Sequence, residues 1–300
     1  MALTIDSPPS SPAAQVRPRP RKPRRVLRFV RRIPGYLCVA VLLLLVAYPL
    51  VWLFLGSFKT QAEFLNDSTL ALPDSFTNFD NYSQAWSSVA LYLRNSLLTV
   101  LPALAIIVVI GTAAGFALEV MVWRGRGTTL LLFLAGIMIP GQMILLPLFT
   151  AYFELHLTGT LWPLIITYTA TGLPLTVFMM ATYFRAIPRE VFEASTLDGA
   201  SIIRSFVSVA FPMMRNAVLT IALVQFFFLW NDLLIALTFT TSDELRTVQV
   251  GLLNFTGQFG AVEYGPTFAA ICINVLLILA IYLFLNQRVM RGLAAGAVKG

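Results

Sequence analysis

The chain has 300 residues, of which 58% are hydrophobic and only 12% charged, and 21 Lys+Arg against 14 Asp+Glu leave a net charge of +7. Soluble domains run about 45–50% apolar and about 25% charged, so an ordinary water-soluble enzyme is excluded, and so is a disordered chain, which shows the opposite bias. The basic excess fits nucleic acid, an anionic lipid surface or orientation in a membrane, and the positions of the charges decide among them.

Residues 1–34 are a basic tail in which Pro18, Pro20 and Pro23 interleave with Arg17, Arg19, Arg21, Lys22, Arg24 and Arg25. Such a segment buries too little apolar surface to fold. It reads as a solvated tail whose basic end lies against membrane lipid. Its one aromatic, Phe29, provides no stacking platform, so no nucleic-acid partner is expected.

A span needs about 20 mostly apolar residues. Six runs qualify, at about 36–58, 95–118, 129–152, 161–184, 216–240 and 267–287. None alternates as a barrel strand would. The expected fold is all-α and polytopic, with six transmembrane helices in a membrane domain over 35–288 and a tail over 289–300. The first run is longer than a signal-peptide core and is followed by no A-x-A site, so it reads as a retained helix. With the N-terminus inside, 18 of the 21 Lys+Arg fall in 1–35, 119–128, 185–215 and 288–300, leaving only Lys59, Arg94 and Arg246 outside. That asymmetry predicts both termini in the cytoplasm.

Between the first two spans, 59–94 reads as an outside segment with Phe76, Phe79, Tyr82 and Trp86. Its aromatics act either as interfacial anchors or as a docking surface. Gly111-x-x-x-Gly115 admits a close backbone approach, within the chain or from a partner subunit. Pro49, Pro102, Pro140, Pro147, Pro163 and Pro174 lie in or at the ends of spans, where each bends or interrupts a helix. Pro140-Gly141 followed by Pro147 makes the third span the most irregular. His156 is the single histidine, in a loop, and Cys38 and Cys272 lie in apolar runs. No zinc or disulfide spacing follows from them.

The inside segment 185–215 is a helix–turn–helix. Pro188 suits a first turn, Glu190 and Glu193 favour its positive end, and Asp198-Gly199 marks a turn. Small residues (Ala194, Ser195, Gly199, Ala200, Ser201) permit close approach by another protein, and an amphipathic interfacial pair without a partner is the alternative. On the fifth span, Asp232 is an intramembrane carboxylate placed past the midplane. It is a candidate for solute contact, a gate, a structural acceptor or a proton relay. Gln225, Asn231, Asn274, Gln142 and Tyr168 are further polar candidates for a pathway.

The 185–215 segment resembles the EAA loop of bacterial ABC importer permeases: Glu-Ala-Ala, three residues, Gly, nine residues, Ile-x-Leu-Pro. Here Glu193-Ala194-Ser195 is followed at that spacing by Gly199 and by Val209-Ala210-Phe211-Pro212. Ser57-Phe58-Lys59, Asn78-Phe79-x-Asn81-Tyr82, Asn95-Ser96-Leu97, Trp230-Asn231-Asp232 and the ending Gly296-Ala297-Val298-Lys299-Gly300 are similar to the carbohydrate-importer branch that includes the six-span maltose-system permease. The resemblance implies the type I ABC importer permease fold. It also implies a second permease, two ATPase subunits docked on the EAA loop through Glu193, Ala194, Ser195, Asp198, Gly199 and Ala200, and an outside solute-binding protein. The chain has no G-x-x-x-x-G-K-[ST] loop, so it is expected to bind no cofactor and to leave ATP-Mg to the ATPase subunits. The rival readings are a permease for a polyol, glycerol phosphate or another small solute, a stand-alone secondary transporter, and an intramembrane enzyme.

Overall fold

Apolar helices dominate the computed structural model, which describes residues 25–68, 71–256 and 262–297; among these no strand forms. Most of the basic tail, up to residue 24, and the end of the C-terminal motif, 298–300, lie outside the described residues. The chain divides into two units, Met1–Val51 and Trp52–Gly300. The described part of the first is helix α1 (Arg25–Gly56) as far as Val51, and its side chains are exposed throughout Pro34–Val51. A helix apolar on all sides suits lipid or another apolar partner, not water.

In the second unit, α2 (Gln61–Asn66) is a short helix and α3 (Asp80–Glu119) is the longest element. Then follow α4 (Arg126–Met138), a 3-10 turn (Gly141–Ile144), α5 (Leu145–Glu154) and α6 (Trp162–Arg185). Beyond α6 come α7 (Arg189–Leu197), α8 (Ile202–Ser205), a π-helical turn (Phe206–Ala210) and α9 (Phe211–Trp230). The chain closes with α10 (Leu234–Phe239), α11 (Val248–Gly251) and α12 (Tyr264–Ala297).

The pairing of α3 with α6 organises the bundle. A Cβ at Gly111 would collide with Thr176, and one at Gly115 would stand 2.6 Å from the Met180 Cβ. The small-residue pattern therefore packs inside the chain, where close contact replaces a hydrophobic driving force that lipid does not supply. Around this seam lie two cores. One gathers Val89, Ile107, Tyr168 and Trp230; the other, at the loop end, gathers Phe116, Met180, Phe184 and Ile221.

Among the described residues five helices are long and apolar enough to cross a membrane: Pro34–Gly56, Asp80–Glu119, Trp162–Arg185, Ile202–Trp230 and Tyr264–Phe284. The expected third span is instead a pair, Arg126–Met138 and Gly141–Glu154, bent by 89°. The break falls at the predicted Pro140-Gly141. Pro102 and Pro174, expected to interrupt, sit inside continuous helices. The second span also starts earlier than expected, because 80–94, read as outer loop, is the first part of α3. Its polar residues mark exit from the apolar layer, not the end of the helix. The 40 residues of α3 cover about 60 Å, twice the roughly 30 Å hydrocarbon layer.

Candidate functional site

The 185–215 segment is assembled from the ends of three long helices. The Arg185 guanidinium grips the Glu119 carboxylate with two hydrogen bonds, Nε at 3.1 Å and Nη2 at 2.9 Å, tying the end of α6 to the end of α3. Two residues on, Ile187 is buried and Pro188 caps α7. Phe116 of α3 is the hub beneath: its ring centroid lies 5.6 Å from Phe184, 5.8 Å from Phe192 of α7 and 5.2 Å from Phe206.

Helix α7 ends in a Schellman motif. The Gly199 N–H donates to the Thr196 carbonyl at 3.0 Å, and the Ala200 N–H to the Ser195 carbonyl at 3.1 Å. Gly199 has φ +76°, the left-handed conformation this cap requires. Nothing lies within 4 Å of a Cβ built on Gly199, so conformation, not crowding, calls for glycine. The close packing expected there is not made within this chain. Ser201 then caps α8, its Oγ accepting from the Arg204 N–H at 3.3 Å.

The expected second helix of a free-standing hairpin is in fact the foot of the fifth span, since Ile202–Trp230 runs as one apolar stretch through the π turn. Pro212 has no N–H to offer the Ser208 carbonyl, and the Phe211 N–H reaches back to Phe206, widening the turn. Glu193 and Ala200 line a cleft of about 720 Å³ floored by Phe116 and Phe184. Glu193, Ala194 and Asp198 are exposed, Ala200 is half-buried and Ser195 is buried. Leu197, Ile203 and Val207 are 89%, 72% and 57% exposed, and Leu197 lines the same cleft. Phe116, Phe192 and the Glu119–Arg185 pair were not visible in the motif, because their roles depend on which helix ends meet.

The polar candidates inside the bundle separate into two groups. Gln225 is buried and satisfied: its Nε2 donates to the Gly172 carbonyl at 2.9 Å and to Thr176 Oγ1 at 2.8 Å. Asn274, also buried, accepts from Trp230 Nε1 at 3.1 Å. Asn231 and Gln142 are exposed. Asp232 does not sit along the fifth span as expected, for α9 stops at Trp230. It occupies the break before α10, where its Oδ2 accepts from Tyr168 Oη and from the Ala236 N–H, both at 3.0 Å. A carboxylate that receives an N–H in the first turn of a helix acts as its cap. His156 closes α5 in a left-handed conformation, φ 54°.

At the opposite end, side chains of the resemblance motifs hold backbone. Asn81 Nδ2 donates to the carbonyls of Ser57 and Lys59, each at 2.9 Å. Asn95 Nδ2 donates to those of Glu244 and Arg246 at 2.7 and 3.0 Å, and Ser96 Oγ accepts from the Val248 N–H at 2.9 Å. Glu63 closes a capping box with Thr60 and accepts from the Asp74 N–H at 2.7 Å. Burial pushes its carboxyl up, but the bonds from Asp74 and Thr60, with Lys59 nearby, outweigh that and leave it below the usual range.

Residues 107–291 match the family of binding-protein-dependent transport system inner membrane components. The chain belongs to that family. It is 31% identical over 258 residues to the diacetylchitobiose uptake system permease protein NgcG of Streptomyces coelicolor, covering 85% of each chain. To the trehalose/maltose transport system permease protein MalG of Thermococcus litoralis it is 29% identical over 279 residues, 92% of this chain and 98% of that one. Among solved structures it superposes with TM-score 0.75 on a chain of a bacterial ABC transporter involved in the import of the acidic polysaccharide alginate, at 18% identity, covering 89% of this chain and 99% of that one.

This permease is therefore a multi-pass inner-membrane protein with the ABC importer permease fold. Its EAA-type loop lies inside the family match, and so do the cleft-lining Phe116, Glu119, Phe184 and Arg185.

Proposed function

We propose that this permease is the membrane subunit of an ATP-driven sugar importer, pairing with a second permease to form the pathway. In this reading the 185–215 loop faces the cytoplasm, and two separate ATPase subunits bind it and supply all ATP-Mg chemistry. A solute-binding protein delivers the sugar to the opposite end. The observation that carries the reading is the cleft lined by Glu193, Leu197 and Ala200, at which Leu197 is 89% exposed. A large apolar side chain held out at the rim of a cleft suits a protein-binding surface. The names of the similar permeases NgcG and MalG support a saccharide as cargo.

The mechanism follows from the joints described. An ATPase subunit that grips α7 applies force at the Phe116 hub and through Ile202–Trp230, which is continuous with the loop. Closure of the ATPase pair would then tilt α9 and α6 and alternate the exposure of the pathway. Glu193 offers the polar contact at the rim. Lipid covers the remaining apolar surface.

Detergent extraction of the tagged permease from its native membrane tests this: an ATPase subunit and a second permease are expected to co-purify. Glu193→Arg is expected to abolish uptake while the protein stays in the membrane. A single chain that transports after ATP depletion would overturn the proposal.

A further inference from the structure

Position 195 is where this chain departs from Glu-Ala-Ala, carrying Ser in place of the second Ala. That hydroxyl does not face water. Ser195 and Ser205 are 8% and 5% exposed, and their Oγ atoms stand 2.7 Å apart. A hydroxyl placed inside a protein is costly unless bonded, and here each serine answers the other.

The location of the pair matters more than its strength. On one side lies the Gly199 turn, held by local backbone bonds and open on all sides. On the other lies the π-helical turn Phe206–Ala210, which begins at the very next residue after Ser205. Both are places where a hairpin yields under load. The hydroxyl bond joins α7 to α8 between them. Ser195 is further fixed through its carbonyl, which accepts from the Ala200 N–H at 3.1 Å, and Ser205 through its N–H, which donates to the Ser201 carbonyl at 2.8 Å.

We infer that Ser195 and Ser205 are positioning residues that lock the angle between α7 and the foot of the fifth span. A push on α7 then moves α9 instead of opening the hairpin. The inference rests on the coupling role proposed above for this loop. An alanine in place of Ser195 leaves the α7 fold intact but removes the bolt.

The test uses the assembled importer in lipid, with Cys38 and Cys272 replaced by Ser and spin labels placed through Thr196→Cys and Arg215→Cys. In the parent, ATP is expected to leave the 196–215 distance distribution as a single unchanged population, because α7 and α9 move as one body. In the Ser195→Ala/Ser205→Ala double variant a second, ATP-dependent population is expected, read in assemblies that contain the ATPase subunits. The double variant removes both partners, which avoids the stranded buried hydroxyl of either single variant. A bond that merely stabilises the fold would lower melting temperature and leave the ATP response like the parent's; that result overturns the inference. If the parent brings down no ATPase subunit, the coupling proposal itself fails, and the two failures are thereby told apart.

Discussion

Tyr168 donates a hydrogen bond to Asp232 at 3.0 Å, and so fastens the first part of α6 to the break between α9 and α10. The same carboxylate oxygen accepts from the Ala236 N–H. One half-buried acid thereby both starts a helix and locates it against a neighbour.

Tyr168→Phe is expected to lower stability in detergent by about 1.5–3 kcal/mol, the usual range for a hydrogen bond to a charged group. Asp232→Ala is expected to cost more, since it strands the Tyr168 hydroxyl and the Ala236 N–H together. Thermal unfolding of the purified permease orders the two, and an Asp232→Ala protein as stable as the parent removes the capping role.

Gly199→Ala is expected to destabilise the loop by about 1 kcal/mol, because alanine resists a positive φ. Gly199→Asn, which tolerates that conformation better, is expected to cost less despite its larger side chain. Since no atom stands within 4 Å of the added Cβ, size is irrelevant to the ranking. Hydrogen exchange at the Ala200 amide reads the effect directly.

Gly115→Leu is expected to prevent the α3–α6 seam from closing. Even a Cβ there comes within 2.6 Å of the Met180 Cβ and 3.0 Å of the Ala181 nitrogen, and overpacking of such a site costs about 1–3 kcal/mol or more. Gly127→Leu, at a glycine with no neighbour within 4 Å, is expected to express normally. Equal membrane yields of the two variants would falsify the seam.

Glu63 predicts a pH dependence at the end of the bundle opposite the 185–215 loop. Its carboxyl lies below the usual range in the folded protein, so its contribution is fully present above the ordinary carboxylate value. That contribution fades as pH falls through the lowered one. Amides of Thr60 and Asp74, which donate to Glu63, are expected to lose exchange protection on acidification. Glu63→Gln is expected to flatten that dependence.

Much of this was readable from residue order alone. The spans announced themselves by length and lack of charge, and Glu193-Ala-Ser with Gly199 at its fixed distance marked the helix–turn–helix of 185–215. Gly199 was legible because one backbone conformation demands it. The end of α9 at Trp230 was not legible, because Asp232 and Leu233 lie in an apolar stretch whose hydropathy continues to Phe239. What stops the helix is a side chain bonding to Ala236, a tertiary choice that also involves Tyr168. Likewise polarity in 80–94 resembled a loop, although nothing there opposes a helix. Ser205 escaped notice because its partner lies across a turn, at no helical or strand spacing.

Helix α3 holds Asn81, Asn95 and Ser96 at one end and Phe116 with Glu119 at the other, on one unbroken axis. Pro102 lies inside this helix without ending it, so the two ends share one continuous backbone. On the proposed coupling, a tilt imposed at the Phe116 end is expected to shift the loops moored at the other end, with no relay of side-chain rearrangements between them.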